Sequence, residues 1–154
     1  MKMESLSAGD ICSRVVVVAE RGTPLCAAAR RMREQHVGCL VVVDARDAGR
    51  QVVGMLTDRD IVTAVVAEEM DPRTLRVEDV MTGEVVTVPE TVPFADLLAT
   101  MRRKGLRRLP VIDARGLLVG VVTLDDLLEV VAGQMRTIVQ AIESGQRRER
   151  EVRR

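Results

Sequence analysis

The chain contains one residue pattern twice, at an offset of 69 positions that later falls to 66. The drop comes from three extra residues in the turn 47–51 of the first copy. A register held over more than thirty residues indicates two copies of one supersecondary unit. The matched pairs include Asp10 with Asp79, Pro24 with Pro93, Met32 with Met101, Gly54 with Gly120, Thr57 with Thr123, and Asp60 with Asp126.

Each copy alternates between strand and helix patterns. Val15–Val18 and Val85–Val88 are β-branched runs, which favour strands. Leu25–Gln35 and Phe94–Lys104 carry apolar residues at helical spacing, each after a proline that a helix start tolerates. Two apolar runs separated by a Gly-containing turn then predict a hairpin, followed by a closing helix. The predicted hairpin strands are Cys39–Val43 with Val52–Leu56 and Leu109–Ile112 with Leu117–Val122, and the closing helices are Asp58–Ala67 and Leu124–Ala132.

The order strand, helix, strand, strand, helix occurs twice and predicts an α+β fold of two tandem β-α-β-β-α half-modules. A copy of about 60 residues buries too little surface to be stable alone, so we expect the sheets to pair across a pseudo-twofold axis. The predicted divisions are a first half-module at 8–69, a linker at 70–76, a second half-module at 77–133, and a C-terminal helix and charged tail at 134–154. Within the last segment we expect one more amphipathic helix to Ile142 and a frayed end from Gln146.

Composition narrows the function classes. Apolar residues make up 47% of the 154 positions but aromatic residues only 1%, so the core must be aliphatic and stacking platforms for single-stranded nucleic acid are missing. Basic and acidic residues balance at 23 each, so we expect no direct nucleic-acid or membrane partner. Three cysteines, no signal peptide and no apolar run of ~18 residues predict a reduced, cytoplasmic protein.

The sequence Gly-h-h-Thr-x-x-Asp, where h is apolar, joins each hairpin to its closing helix. Gly lets the backbone approach a ligand closely, and Thr caps a helix whose N–H groups attract a phosphate. Asp lies one turn further on the same side, where a carboxylate can accept two hydrogen bonds from a ribose diol. The alternative is an ordinary capping box, in which the Asp folds back onto the cap N–H. The two copies of the motif are Gly54–Asp60 and Gly120–Asp126.

The sequence closely resembles a cystathionine-β-synthase (CBS) domain pair, or Bateman module, from Ala8 to Ala132. The resemblance rests on Asp79–Thr82, Arg108–Asp113 and Gly120–Asp126, together with Gly54–Asp60 in the first copy. The first-copy form is common in small stand-alone bacterial proteins of this family. The resemblance implies a regulatory module that binds an adenosine nucleotide between the repeats and catalyses nothing, with AMP, ADP or ATP as ligand and NAD or S-adenosylmethionine as variants.

The resemblance also implies roles for individual residues. The Asp of each motif holds ribose hydroxyls, the Thr lies near phosphate, and adenine slots against the first-strand residues Val16 and Val85. Basic residues at the position of Arg107 and Arg108 lie beside the phosphate. The complete set of candidate nucleotide-binding residues is Val16, Thr57, Asp58, Arg59, Asp60, Thr82, Val85, Arg107, Arg108, Pro110, Gly120, Thr123 and Asp126.

Several of these candidates have a second interpretation. Arg107 and Arg108 also suit a solvated pair after a Lys/Arg-rich helix end. Their first-copy counterparts are uncharged, so we expect the Thr123/Asp126 site to prefer the more charged ligand. Arg59 serves a phosphate in the first copy only if neighbouring Asp58 does not repel the anion. Pro110 is expected to shape the pocket wall.

Two other function classes remain open. One is a structural homodimer with vestigial pockets, whose helices act as an adaptor for an unknown effector protein. The apolar faces of the helices ending at Ala67 and Ala132 favour a homodimer in either case. The other is a zinc or redox sensor using His36 and Cys39, which lie three positions apart. With one His in the chain, no nucleophile–base pair for catalysis can be assembled.

Overall fold

A computed structural model describes residues 5–152 and contains the predicted elements in both copies. The predicted α+β fold of two tandem half-modules is confirmed. Two helices, α2 and α5, have the bounds that the apolar spacing predicts. The elements are α1 Ala8–Ile11, β1 Val18–Ala19, α2 Leu25–Gln35, β2 Cys39–Arg46, β3 Gly49–Thr57, α3 Asp58–Ile61, α4 Val77–Val80, β4 Val88–Pro89, α5 Phe94–Lys104, β5 Arg108–Ile112, β6 Leu118–Thr123 and α6 Leu124–Val152.

The strands form two three-stranded sheets with the same topology. The orders are β1-β2-β3 and β4-β5-β6, with the first pair of each sheet parallel and the hairpin antiparallel. Each hairpin has a register shift at an equivalent place, between Val42 and Val43 and between Val111 and Ile112. The repeat in sequence is therefore a repeat in structure, down to its irregularities.

Each half-module is completed by a short helix from the other copy. In the first copy, Ala8 of α1 donates its backbone N–H to the carbonyl of Val92, at 2.8 Å. The equivalent bond joins Val77 of α4 to Thr23, at 2.9 Å. Ala8 and Val77 are fully buried in the core of the opposite copy. This reciprocal exchange relates the copies by the expected pseudo-twofold axis and links their stabilities.

The first strand of each sheet is shorter than predicted. The sequence predicts strands at Val15–Val18 and Val85–Val88, but β1 and β4 begin only at Val18 and Val88. The preceding residues cross between sheets: Ser13 pairs with Val121 of the second hairpin, whereas Val18 pairs with Val41 of the first. Because this stretch passes from one sheet to the other, it cannot form a continuous hydrogen-bonded ladder with either sheet. We call 13–17 and 82–86 the crossing segments.

The closing helices also differ from the prediction. In the first copy, α3 is followed by a wider π-helical turn at Val62–Val66, while the Thr63 hydroxyl donates to the Arg59 carbonyl at 2.8 Å. In the second copy, α6 continues without a break through Gly133 to Val152, so the predicted separate tail helix is wrong. Among the described residues, no helix combines the length and apolarity that crossing a membrane requires.

Two aliphatic clusters form the cores, one in each half-module. Phe94 is the single aromatic residue of the sequence and lies in the second cluster. No polar or charged side chain is buried among residues 5–152. The charged and hydroxyl side chains of the Thr-x-x-Asp motifs are therefore left at the surface, next to the crossing segments.

Candidate nucleotide-binding clefts

Two surface clefts lie where a Thr-x-x-Asp turn of one copy faces the crossing segment of the other. We name them by their carboxylates. The Asp60 cleft has a volume of about 510 Å³ and the Asp126 cleft about 210 Å³. The Asp60 cleft is lined by Gly38, Met55, Thr57, Asp58, Arg59, Asp60, Thr82, Glu84, Val85, Val86, Gly105, Leu106, Arg107 and Arg108. The Asp126 cleft is lined by Ser13, Val15, Val16, Val17, Val37, Cys39, Val41, Met55, Arg108, Val121, Thr123 and Asp126.

Most candidate residues meet in these clefts. Eight of the thirteen line the Asp60 cleft, and Arg108 lines both. Val85 lies with Asp60, and Val16 lies with Asp126, so each pairing brings together residues of different copies. Two candidates line neither cleft, Pro110 and Gly120. Pro110 is fully buried in β5, inside the second half-module.

The Thr-x-x-Asp turn forms a capping box in both copies. The Thr57 backbone N–H donates to Asp60 Oδ2 at 2.8 Å, and the Asp60 N–H donates to Thr57 Oγ1 at 3.1 Å. The same bonds join Thr123 and Asp126 at 2.7 and 3.2 Å. In the second copy the Thr123 hydroxyl also donates to Asp126 Oδ2, at 2.7 Å. In both carboxylates it is the Oδ2 atom that accepts these capping bonds.

The helix start offers fewer free N–H groups than the sequence predicts. In the first copy, the Asp58 N–H donates to the Gly38 carbonyl at 3.0 Å and the Arg59 N–H donates to Asp58 Oδ1 at 2.8 Å. With Asp60 bound to Thr57, the first three N–H groups of α3 are all occupied. In the second copy, the Leu124 N–H donates to the Arg107 carbonyl at 2.8 Å. The first turn of α3 therefore has no free N–H group to offer a phosphate.

At each of the two motif glycines, a segment from the other copy of the repeat packs closely against the backbone. A Cβ on Gly120 would lie 2.6 Å from the Ser13 carbonyl oxygen and 2.7 Å from Cys12 Sγ. A Cβ on Gly54 would lie 2.5 Å from Met81 Sδ and 3.0 Å from the Thr82 oxygen. Each pair of neighbours, Cys12 with Ser13 and Met81 with Thr82, belongs to the stretch that passes from one copy to the other. At Gly120 the space that the missing side chain leaves is occupied by Cys12 and Ser13, and the role of Gly120 as a ligand contact stays a prediction.

Three arginines and three carboxylates line the Asp60 cleft, so their formal charges balance. Arg59, Arg107 and Arg108 line it, and none forms an ion pair with a described carboxylate. Of these, only Arg108 lines the Asp126 cleft. Arg107 lines the Asp60 cleft and not the Asp126 cleft, so the expectation that the Thr123/Asp126 site takes the more charged ligand loses Arg107 as support and stays a prediction. The three carboxylates of the Asp60 cleft are Asp58, Asp60 and Glu84.

Cys39 lines the Asp126 cleft and contacts Arg108. Burial raises the pKa of the Cys39 thiol, and the Arg108 guanidinium beside the sulfur offsets part of that rise. His36, the other residue of the zinc hypothesis, ends α2 in a left-handed conformation and is exposed. Within residues 5–152, no cluster of three or more His, Cys, Asp or Glu side chains could hold a metal ion.

Sequence reasoning missed several lining residues. Ser13 is the counterpart of the candidate Thr82, and Met55 is the counterpart of Val121. Applying the repeat offset to each candidate would have identified Ser13. Glu84 and Val15 occupy equivalent positions in the two crossing segments, and their difference in charge is visible in the sequence. The contribution of Met55 to both clefts depends on the exchange of segments, which has no local sequence signal.

Comparison with known proteins identifies a shared family pattern. The family model of the CBS domain matches residues 8–67 and again 77–133. An uncharacterized protein of Methanopyrus kandleri is 33% identical over 144 residues, which cover 94% of this chain and 72% of that protein. The pattern thus extends over both half-modules and into α6.

Solved structures with the same fold include ligand complexes. A CBS domain pair in complex with 5′-methylthioadenosine and S-adenosylmethionine has a TM-score of 0.70 at 26% identity, over 83% of this chain and 97% of that one. The cytosolic domain of the Mg²⁺ channel MgtE in complex with ATP has a TM-score of 0.69 at 30% identity, over 82% of this chain and 49% of that one. Hypoxic response protein I with two coordinated zinc ions has a TM-score of 0.70 at 33% identity, over 80% and 97%.

Proposed function

The chain belongs to the CBS-domain family, and from this premise we propose that it is a non-catalytic regulatory module that binds adenosine nucleotides in its two clefts. Relatives of similar fold are described in complex with S-adenosylmethionine, 5′-methylthioadenosine and ATP. All three ligands contain adenosine. The shared chemistry to be recognised is therefore an adenine base and a ribose diol, with a variable charged group.

One observation carries the proposal: each cleft sets a fixed carboxylate opposite a β-branched crossing segment. The capping box holds Asp60 and Asp126 through Oδ2 and leaves Oδ1 free to accept a hydrogen bond from a ribose hydroxyl. Val85 and Val86, or Val16 and Val17, supply the apolar surface for the base. The carboxylate thus fulfils the capping role and remains available to a ligand.

We propose that the two clefts take ligands of different charge. The Asp60 cleft combines three arginines with the larger volume, so it suits a nucleotide with more than one phosphate, such as ADP or ATP. The Asp126 cleft, with Arg108 alone and a smaller volume, suits AMP or an uncharged adenosine group. S-adenosylmethionine and NAD are the variants to compare.

We propose that the module acts as a homodimer and signals to a separate effector protein. Val62 and Val66 of the π-helical turn and Leu128 of α6 are 55, 65 and 64% exposed. Beyond the second half-module, α6 exposes a further stripe at helical spacing, made of Met135, Ile138, Val139 and Ile142. Apolar faces of this extent favour association, and ligand binding would shift the preferred arrangement of the two copies.

The capping boxes also support a second candidate function, an adaptor dimer with vestigial clefts. Both Thr-x-x-Asp turns are satisfied within the chain, so neither needs a ligand to be stable. This candidate predicts the same homodimer but no response to any nucleotide.

A thermal-shift panel with AMP, ADP, ATP, NAD, NADH and S-adenosylmethionine separates the two candidates. A ligand at a hundredfold excess over its Kd adds roughly 2.7 kcal/mol to the free energy of unfolding, which raises Tm by several degrees. The response should fall in Asp60→Ala or Asp126→Ala. It should persist in Asp125→Ala, a neighbouring exposed carboxylate that lines neither cleft. A flat panel, with co-purified nucleotide excluded, would leave the adaptor dimer as the function.

A further inference from the structure

Arg108 lies where the two clefts meet. It is the first residue of β5 and pairs with Thr123 in the hairpin, and it lines both the Asp60 and the Asp126 cleft. Its counterpart in the first copy is Cys39, 69 positions earlier. The guanidinium of Arg108 lies close enough to the Cys39 sulfur to lower the pKa of the thiol against the effect of burial. Two equivalent residues in contact must lie next to the pseudo-twofold axis.

An exact repeat would have either two arginines or two cysteines at this pair of positions, whereas this chain has one of each. Because the first copy has Cys39 there, a single guanidinium serves both clefts. Arg108 is exposed and forms no ion pair with any carboxylate of residues 5–152, so no ion pair holds it on one side. Arg59 and Arg107, by contrast, line the Asp60 cleft alone.

We propose that Arg108 makes the two clefts compete for anionic ligands. This inference rests on the proposed nucleotide binding and adds its regulation. A phosphate in the Asp60 cleft draws the Arg108 guanidinium toward it and leaves the Asp126 cleft with Asp126 as its one charged side chain. A second anion then binds more weakly, and the effect is reciprocal because coupling between two binding equilibria is symmetric. An adenosine ligand without phosphate makes no such demand on Arg108.

The coupling is measurable by calorimetric titration of the full chain with AMP. Asp126→Asn reports the intrinsic affinity of the Asp60 cleft, and Asp60→Asn reports that of the Asp126 cleft. Asparagine is chosen because its amide oxygen can still accept the capping N–H and keep the turn folded. In the unmodified chain, the overall association constant for binding two AMP molecules should be about fivefold or more below the product of the two intrinsic association constants.

Two comparisons assign the coupling to Arg108. The two single-cleft measurements are repeated with Asp126→Asn and Asp60→Asn in an Arg108→Gln background. There the overall association constant for two AMP molecules should equal the product of the two intrinsic association constants. In Arg107→Gln, the matched control, the Asp60 cleft should weaken while the coupling remains. Titration with adenosine in place of AMP should show no coupling in the unmodified chain.

The outcomes are distinct. Binding of AMP at both clefts without coupling, or coupling that survives Arg108→Gln or persists with adenosine, overturns the role of Arg108 and leaves nucleotide binding intact. If neither AMP nor any other ligand of the thermal-shift panel binds at either cleft in any variant, the proposed function itself is overturned, and the coupling with it.

Discussion

The Asp60 and Asp126 clefts have the same architecture but different linings. Both consist of a capped Thr-x-x-Asp turn facing a crossing segment, with carboxylate geometry that agrees within a few tenths of an ångström. They differ because Arg59 and Arg107 line the Asp60 cleft alone, and because Glu84 of one crossing segment corresponds to Val15 of the other. The capped turn is therefore the same in both copies, while the residues around it differ in charge and size.

We expect the largest effect from a side chain that fills the space beside a motif glycine, where the crossing segment of the other copy passes. Gly120→Ala should lower the free energy of unfolding by about 2–3 kcal/mol, because the new Cβ would lie 2.6 Å from the rigid Ser13 carbonyl. Gly54→Ala should lower it by only about 1 kcal/mol, since its closest neighbour is the flexible Met81 side chain. Urea denaturation of both variants measures the difference. Equal losses would show that the crossing segments are not held as described.

Removing one arginine should separate the affinities of the clefts. Arg107→Gln is expected to weaken ATP binding at the Asp60 cleft about tenfold, because one of three charged donors to the phosphates is lost. The Asp126 cleft should keep its affinity. Calorimetry in Asp126→Asn and Asp60→Asn backgrounds isolates each cleft. Arg103→Gln, an exposed arginine in the last turn of α5, is the matched control and should change neither affinity.

Higher ionic strength should also change the ATP affinities of the two clefts to different extents, but by less than the loss of an arginine does. Raising salt from 50 to 300 mM should weaken ATP binding roughly threefold at the Asp60 cleft and less at the Asp126 cleft, because exposed charges are screened over about a Debye length. The two single-cleft variants again supply the measurement. A larger salt dependence at the Asp126 cleft would contradict the assignment of charge.

Alkylation of Cys39 reports on the Asp126 cleft without a mutation. Since the pKa of this thiol is raised, less thiolate is present at pH 8 than in a free thiol, and iodoacetamide should react more slowly. AMP in the cleft should slow the reaction about threefold more by limiting access. Cys12, whose pKa burial also raises, lies outside both clefts and should show no protection in peptide mapping. Equal protection of Cys12 and Cys39 would contradict the location of the ligand.

Local patterns predict those elements whose signals are local. The bounds of α2 and α5 follow from the apolar spacing, and each helix ends in a left-handed residue, His36 or Gly105. The hairpins follow from paired apolar runs around Gly-containing turns. Thr57 as a cap follows from its hydroxyl and its position before α3.

The exchange between copies could not be predicted in the same way. The run Val15–Val18 has strand propensity whichever sheet it joins, and nothing local states that Ser13 belongs to one sheet and Val18 to the other. The same gap applies to Gly120, whose need for space follows from the sequence but whose neighbour in that space, Ser13 of the other copy, does not. The assignment of Arg107 to the wrong cleft follows too, because each cleft combines residues of both copies.

A crystal structure of the full chain grown with ATP tests the central claim most directly. The account predicts ligand density in the Asp60 cleft, with the ribose hydroxyls on Asp60 Oδ1, the base against Val85 and the phosphates among Arg59, Arg107 and Arg108. Density with the phosphates in the Asp126 cleft, or both clefts empty at a concentration of ATP that raises Tm, would contradict it.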